Sequence, residues 1–324
     1  MIELKNVCKH YKVAKRSSGL SEAVKSLFRR EYTSIQALDN ISFTVRDGEA
    51  VGYIGPNGAG KSSTIKIMSG ILTPDSGTCF INGRVPWRDR TAHVQEIGVV
   101  FGQRSQLWWD VPVADSFELL RDIYRVDGSA YRRTLGRLTE LLDLGELLRT
   151  PARQLSLGQR MRCEIAASLL HEPKILFLDE PTIGLDAVSK AAVRSFIRAV
   201  NKEQGTTVLL TTHDMQDIEA LTERILLIGK GRILLDGTLD ELKRRRPSQR
   251  KLTVAYNGDK LPAIEGLSIL KDEHSRAELL LDTELLSVSE AIARISAQAE
   301  IKDVSVAGES VEELVVSLYR EYRI

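Results

Sequence analysis

Residues 55–62 read GPNGAGKS and match the pattern G-x-x-x-x-G-K-[ST] at every position. The apolar run before them predicts a buried strand ending at Ile54, and the residues from Lys61 to about Ile71 predict a helix. Glycines between a strand and a helix let backbone N–H groups approach phosphate oxygens closely, and Lys61 adds a positive charge. The Ser62 hydroxyl suits Mg²⁺. This phosphate loop therefore predicts an α/β domain that binds a nucleotide.

Residues 175–180, ILFLDE, form an apolar run that ends in two carboxylates. Asp179 is placed to hold Mg²⁺, directly or through water, and Glu180 to orient or deprotonate a water for in-line attack. Two acids at the end of a strand can also be solvated surface residues. The phosphate loop in the same chain favours the functional interpretation.

A third motif, LSLGQR, occupies residues 155–160 and is called the signature motif below. Ser156 and Gln159 match S-x-x-Q, in which the serine oxygen accepts from the amide three residues on and the glutamine reaches back. This capping box predicts the start of a helix that runs to about His171. An exposed helix start carries free N–H groups and the positive end of the helix dipole, so it can bind a phosphate.

Three isolated residues become candidates for the nucleotide site because these motifs are present. Gln103 follows the apolar run 97–101, and a neutral amide there can contact both Mg²⁺ and an attacking water. His213 follows the run 207–212, where a neutral imidazole can contact the γ-phosphate. Tyr11 can stack on adenine, although an aromatic residue on a first strand can also be part of the core.

The order of these motifs resembles that of the ATP-binding cassette (ABC) family over about residues 1–235. That order and the length of the tail are also similar to the nucleotide-binding subunits of ABC-2 type exporters. The resemblance implies a P-loop NTPase ABC cassette of the α/β class, in which a mixed sheet with a RecA-like core carries a helical subdomain. It also implies the cofactors ATP and Mg²⁺.

The resemblance further implies a dimer. Two subunits would sandwich two ATP molecules head to tail, with twofold symmetry. Ser156 and Gly158 would then contact the γ-phosphate of ATP held by the second subunit, and Asp186 would lie at the seam between subunits. Leu157 departs from the usual family pattern LSGGQ, and a leucine restricts the loop backbone more than a glycine does.

Together these arguments define the expected site. The expected catalytic residues are Gln103, Glu180 and His213, and the expected Mg²⁺ ligands are Ser62, Gln103 and Asp179. The residues expected to contact ATP are Tyr11, Gly55, Pro56, Asn57, Gly58, Ala59, Gly60, Lys61, Ser62, Ser63, Ser156, Gly158, Gln159 and Asp186.

Strands that alternate with helices predict a parallel-type sheet covered on both faces. The expected ATP-binding domain covers residues 1–237, with the helical subdomain at about 104–165. A linker helix is expected at 238–249. Residues 250–324 predict a small C-terminal α+β domain with the order strand, strand, helix, strand, helix, and they contain no chemical motif.

Two segments leave a choice between a partner surface and ordinary packing. Residues 14–34 form a basic insertion with an amphipathic helical pattern, which either contacts a membrane surface or membrane subunit or packs on its own domain with a solvated basic face. Trp108 and Trp109 either form a docking surface for membrane subunits or pack inside the helical subdomain.

The composition excludes several classes. A balance of 45 basic against 44 acidic residues gives a net charge of +1, so no global field favours nucleic acid or an anionic membrane. Three cysteines far apart fit reduced thiols better than a disulfide framework or a metal site. No apolar run reaches the roughly 18–20 residues that span a bilayer, and the N-terminus lacks a secretory signal, so any membrane role requires a partner.

The resemblance implies that the chain is an ATP-hydrolysing subunit of an ABC-2 type exporter. It would lie at the cytoplasmic face of the cell membrane and pair with a second copy of itself and with separate ABC-2 permease subunits. One alternative is a soluble ABC ATPase acting on ribosomes or nucleic acid, although such forms usually carry two cassettes, a long coiled coil or zinc motifs, and none is apparent here. The other alternative, a non-hydrolysing regulatory subunit, is disfavoured because Lys61, Asp179, Glu180 and His213 are all present.

Overall fold

The structure is a computed structural model. It describes residues 1–14, 32–102, 104–244, 249–257, 261, 263–273, 275–308 and 311–322. Gln103 and most of the basic insertion, residues 15–31, therefore lie outside the described residues. The flanking residues Ala14 and Tyr32 end and begin two strands.

The elements alternate between strands and helices along most of the chain. The strands are β1 (Ile2–Ala14), β2 (Tyr32–Val45), β3 (Ala50–Ile54), β4 (Ser76–Ile81), β5 (Ile97–Phe101), β6 (Ile175–Asp179), β7 (Thr207–Thr211), β8 (Arg224–Gly229), β9 (Arg232–Thr238), β10 (Gln249–Asn257), β11 (Leu267–Glu273), β12 (Arg276–Asp282) and β13 (Glu300–Gly308). The helices are α1 (Lys61–Met68), α2 (Arg90–Val94), α3 (Val113–Tyr124), α4 (Gly128–Leu142), α5 (Leu157–Leu169), α6 (Ala187–Gln204), α7 (Met215–Leu221), α8 (Leu239–Arg244), α9 (Val288–Ser296) and α10 (Val311–Glu321).

A six-stranded sheet with the order β5-β6-β7-β3-β8-β9 forms the centre of the first compact unit. The five strands from β5 to β8 in that order pair in parallel. Strands β6 and β7 are buried along nearly their whole length, as expected for a sheet covered on both faces. Because parallel strands end at the same edge, the segments that follow β3, β5, β6 and β7 converge there.

A smaller antiparallel sheet with the order β2-β1-β4 packs against the central sheet and α1. The shared core contains Leu4 from β1, Tyr53 from β3, Ile65 from α1 and Phe177 from β6, all fully buried or nearly so. Full burial of one such side chain contributes about 1.5–3 kcal/mol. This core fixes the ends of β3 and β6, and thus the two motifs that follow them.

Helices α3 and α4 lie between β5 and β6 in the sequence and contact α5. Both are amphipathic, and they bury Phe117 and Leu120 from α3 and Tyr131 and Leu138 from α4. Asp127 caps α4 by accepting from the backbone N–H groups of the first turn. Residues 143–154 connect this helical part to the signature motif.

Residues 237–323 form a second compact unit. Its antiparallel sheet has the order β11-β12-β10-β13, and α9 contributes to its apolar core. The expectation of two strands before the first helix of this tail was wrong, because the structure has three. Strand β11 was missed because only Leu267 at its start is half-buried and the rest is exposed, so it shows no alternation.

Within the described part of the chain, no helix is both long and apolar enough to cross a membrane.

Candidate active site

The phosphate loop connects β3 to α1 and depends on glycine at its end. Gly60 caps α1 with φ 114°, and a Cβ at this position would lie 2.6 Å from the carbonyl oxygen of Ala37. No other residue fits this combination of left-handed backbone and close approach. The cap uses no side chain, so the first N–H groups of α1 remain available to an anion.

Lys61 reaches back into the loop that precedes it. Its ammonium donates to the carbonyl oxygens of Gly55 at 2.6 Å and Pro56 at 3.2 Å, and the residue is only 6% exposed. Burial lowers the pKa of Lys61, while the negative charges of Glu180 and Asp179 act in the opposite direction. The structure therefore places the positive charge of the phosphate loop in the field of both acids that end β6.

Asp179 is oriented by a residue on the neighbouring strand. Thr211 is its register partner on β7, and the threonine hydroxyl donates to Asp179 Oδ1 at 2.6 Å. Sequence reasoning missed Thr211, because a threonine in an apolar strand carries no distinctive signal until the strand pairing is known. A fixed carboxylate oxygen is a suitable ligand for Mg²⁺, and outer contacts of this kind orient such ligands.

Glu180 occupies an unusual backbone conformation at the end of β6. Its φ is 55°, in the left-handed region that costs a non-glycine residue about 1–3 kcal/mol. Its N–H donates to the Thr211 carbonyl oxygen at 3.0 Å, which holds the turn. Its Oε1 lies 3.6 Å from Nδ1 of His213, whose side chain is 62% exposed. The structure thus brings together the two residues expected to act on the attacking water and the γ-phosphate.

Tyr11 lies beside the phosphate loop. Its hydroxyl is 3.2 Å from the Ser63 hydroxyl in the first turn of α1, and its ring is half-buried. The contact with Ser63 places Tyr11 next to the loop that is expected to hold the phosphates. A half-buried ring is compatible with both adenine stacking and core packing.

The signature motif forms the predicted capping box. The Gln159 N–H donates to Ser156 Oγ at 3.2 Å, and the Ser156 N–H donates to Gln159 Oε1 at 2.9 Å. The helix ends at Leu169, two residues before the predicted end. Because the hydroxyl accepts in this cap, its own hydrogen remains available to a ligand. Ser156 is exposed.

The signature motif packs against the turn before α6. A Cβ at Gly158 would lie 2.6 Å from Ser189 Oγ. The Asp186 carboxylate caps α6 by accepting from the backbone N–H of Ser189 at 2.8 Å and from its hydroxyl at 2.9 Å. Ser156 and Asp186 therefore belong to one exposed cluster, and within the described residues no hydrogen bond or ion pair joins either of them to the phosphate loop.

A buried polar network, absent from the sequence-based predictions, links the segments after β6 and β7. Asp217 is fully buried and accepts from the hydroxyls of Thr182 and Thr212 and from Arg194. Such an acid resembles an ordinary first-turn residue of α7 in the sequence. The network fixes the turn after Glu180 relative to the segment that carries His213.

Comparison with known proteins supports the family resemblance. The profile of the family described as ABC transporter matches residues 38–183. The chain is 32% identical over 295 residues to the daunorubicin resistance ATP-binding protein DrrA3 of Streptomyces coeruleorubidus, covering 89% of this chain and 93% of that protein. This chain belongs to the ATP-binding cassette family. The predicted resemblance and fold class are thus confirmed, and the chain is an ABC-type ATPase.

Two further similarities support the assignment. The doxorubicin resistance ATP-binding protein DrrA of Mycobacterium tuberculosis is 33% identical over 298 residues, which cover 88% of each chain. The dimeric structure of a bacterial ABC transporter cassette aligns with a TM-score of 0.63 and 28% identity, covering 74% of this chain and 99% of that one. The function as an ATP-binding subunit of an ABC transporter is therefore preferred over a ribosome-acting ATPase.

Proposed function

We propose that this ABC ATPase works as a head-to-tail homodimer that powers separate ABC-2 type permease subunits of an exporter. The observation that supports this most is that one chain contains a complete phosphate loop and a signature motif whose Ser156 is exposed and, among the described residues, not hydrogen-bonded to that loop. An exposed phosphate-binding helix start needs a phosphate from elsewhere, and a second copy supplies one. The names of the relatives, which refer to daunorubicin and doxorubicin resistance, support export.

In the proposed mechanism, the backbone of the phosphate loop and Lys61 hold the β- and γ-phosphates. The oxygen donors of Ser62 and Asp179 fit Mg²⁺, because both are hard ligands and Thr211 fixes the carboxylate. Mg²⁺ bound there would neutralise charge that develops on the phosphates. The role of Gln103 remains a prediction, since that residue lies outside the described part of the chain.

Glu180 then orients a water in line with the γ-phosphorus. The water oxygen forms a bond to phosphorus as the bond to the β–γ bridging oxygen breaks, and the water proton passes to the Glu180 carboxylate and from there to the released phosphate or to solvent. His213, whose Nδ1 lies 3.6 Å from Glu180 Oε1, would contact a γ-phosphate oxygen. The products are ADP and inorganic phosphate, and their release allows the dimer to open.

The proposed permease contact uses the exposed aromatic residues before α3. Trp108 and Trp109 are 42% and 52% exposed, which favours the docking interpretation over packing inside the helical part. Leu119 and Ile123 on α3 are also exposed apolar residues. With such a contact the chain would lie at the cytoplasmic face of the membrane, and the permease would choose the substrate.

The substitution Glu180→Gln tests the proposal. It removes the proton acceptor but keeps the shape, so hydrolysis should fall by at least about 100-fold. ATP affinity should stay within about twofold of wild type, and ATP should shift the variant from monomer to dimer in size-exclusion chromatography with light scattering. Turnover near the wild-type rate, or a variant that stays monomeric with saturating ATP, would contradict the proposal.

A further inference from the structure

Residues 105–111 follow Gln103 in the sequence and lie against α5; we call them the anchored segment. Its start is held by Glu164, which accepts from the Ser105 hydroxyl and, at 3.1 Å, from the Gln106 N–H. The Gln106 side-chain amide donates in turn to the Glu164 carbonyl oxygen at 3.0 Å. Three hydrogen bonds therefore connect this segment to one residue of the helix that begins at the signature motif.

Glu164 lies at a site where an acid is costly. The residue is only 4% exposed, and burial raises its pKa, while the hydrogen bonds from residues 105–107 act in the opposite direction. A carboxylate buried in this way destabilises the fold unless its oxygens are satisfied. The anchored segment satisfies them, and an apolar residue would fill the same position on α5 at no such cost.

The far end of the anchored segment contacts the residues around Ser156. The Arg160 guanidinium lies 5.8 Å from the centre of the Trp109 ring, a cation–π distance. Arg160 is four residues before Glu164, so both point from the same face of α5. Arg153 donates its backbone N–H to the Trp109 carbonyl oxygen at 3.1 Å and pairs with Asp110 at 3.0 Å.

We propose that Glu164 is a positioning residue that binds the anchored segment to α5, so that the residues after Gln103 and the helix start at Ser156 move as one body. The inference rests on the proposed function, in which Gln103 belongs to the ATP site of its own subunit and Ser156 to that of the partner. Glu164 then transmits a change at one ATP site to the other. It contacts neither nucleotide.

The test compares Glu164→Ala, Glu164→Gln and Ser105→Ala in the full chain. Hydrogen bonds to a charged group change an equilibrium constant by about tenfold or more. If they hold the anchored segment in its productive position, Glu164→Ala should lower kcat about tenfold. ATP affinity of the monomer, measured with a fluorescent ATP analogue, should change less than about twofold, because the phosphate loop is untouched. Glu164→Gln should recover most of kcat, since an amide can accept from Gln106 N–H and donate to Ser105.

Hydrogen exchange separates positioning from general stability. Glu164→Ala should raise deuterium uptake in both residues 105–111 and residues 155–161 and leave residues 55–62 and 175–179 unchanged. Asp143→Asn is the matched control, because Asp143 pairs with Arg162 of the same helix without contacting the anchored segment. The control should keep wild-type kcat and exchange.

A Glu164→Ala variant with the kcat of the wild type would overturn the inference. So would a variant with a lower Tm in which deuterium uptake rises evenly over the whole first unit. If Glu164→Ala does not fold, Ser105→Ala and Glu164→Gln provide the test. Ser105→Ala should lower kcat and raise deuterium uptake only in residues 105–111 and 155–161. An unchanged kcat in Ser105→Ala would overturn the inference. Failure of the proposed function would appear separately, as a wild-type chain without ATP turnover or a Glu180→Gln variant that does not dimerise.

Discussion

Leu157 of the signature motif packs directly on Gly184 of the turn before α6. A Cβ at Gly184 would lie 2.8 Å from Leu157 Cδ2, and the backbone of Gly184 has φ 70°. The residue that departs from the usual family pattern therefore fills space that the glycine leaves free. Leu157 is also 37% exposed, so part of its side chain lies on the surface that presents Ser156 and Asp186.

This contact predicts coupling between the two positions. Gly184→Ala should destabilise the chain by about 1–3 kcal/mol, mainly because of the strained φ, with a smaller cost for displacing the flexible end of Leu157. Leu157→Gly should cost roughly 1–2 kcal/mol, since it loses half-buried apolar area and helix propensity. In the double variant the clash is relieved, so the sum should be less than additive in chemical denaturation. Strictly additive values would show that the two residues do not interact.

Ser156→Arg tests whether the signature motif serves the partner's ATP. The monomer should bind ATP as the wild type does, because its own phosphate loop is intact, whereas hydrolysis should fall by at least about 100-fold. Lys61→Ala should also be inactive. A mixture of the two variants should regain activity, since one composite site then has an intact loop and an intact signature. A Ser156→Arg chain as active as the wild type would contradict an arrangement in which the signature motif of one subunit contacts ATP on the other.

Thr211→Val removes the hydroxyl that orients Asp179 and keeps the side-chain shape. The Mg²⁺ concentration for half-maximal ATPase should rise by about 10-fold, because outer contacts of metal ligands carry effects of this size. Thr207→Val is the control: Thr207 lies at the opposite end of β7, where its hydroxyl accepts from the Gly48 N–H at 2.9 Å. The control should keep the wild-type Mg²⁺ dependence. An equal shift in both variants would show that the change comes from disturbing β7 and not from the loss of the hydrogen bond to Asp179.

Substitutions at Tyr11 distinguish a role in adenine stacking from a role in core packing. Tyr11→Ala should weaken ATP binding by about 1–3 kcal/mol, the size of an aromatic–base contact, and leave binding of inorganic tripolyphosphate unchanged. Tyr11→Phe keeps the ring and loses only the contact with Ser63, so it should bind ATP nearly as the wild type does. Calorimetric titration with both ligands provides the measurement. Equal weakening for ATP and tripolyphosphate would instead indicate core packing.

The main secondary structure of the first unit could be predicted, since its apolar runs and glycine-containing loops are local signals. The tail was harder, because the exposed residues of β11 resemble a loop until the hairpin with β12 is seen. Residues such as Thr211, Glu164 and Asp217 could not be identified as parts of the site. Each is a polar residue within an apolar strand or a helix. Its role depends on a hydrogen-bond partner that lies more than 30 residues away in the sequence, on another segment of the chain.

The sequence by itself determined which motifs are present and in what order. A phosphate loop needs glycine where the backbone is left-handed, and a capping box joins residues three apart, so both requirements act over a few residues of chain. Only the tertiary structure decided which motifs meet: Asp179 with Thr211, Leu157 with Gly184 and Glu164 with Ser105. Those contacts follow from strand order and helix packing, which bring together side chains that are far apart in the sequence.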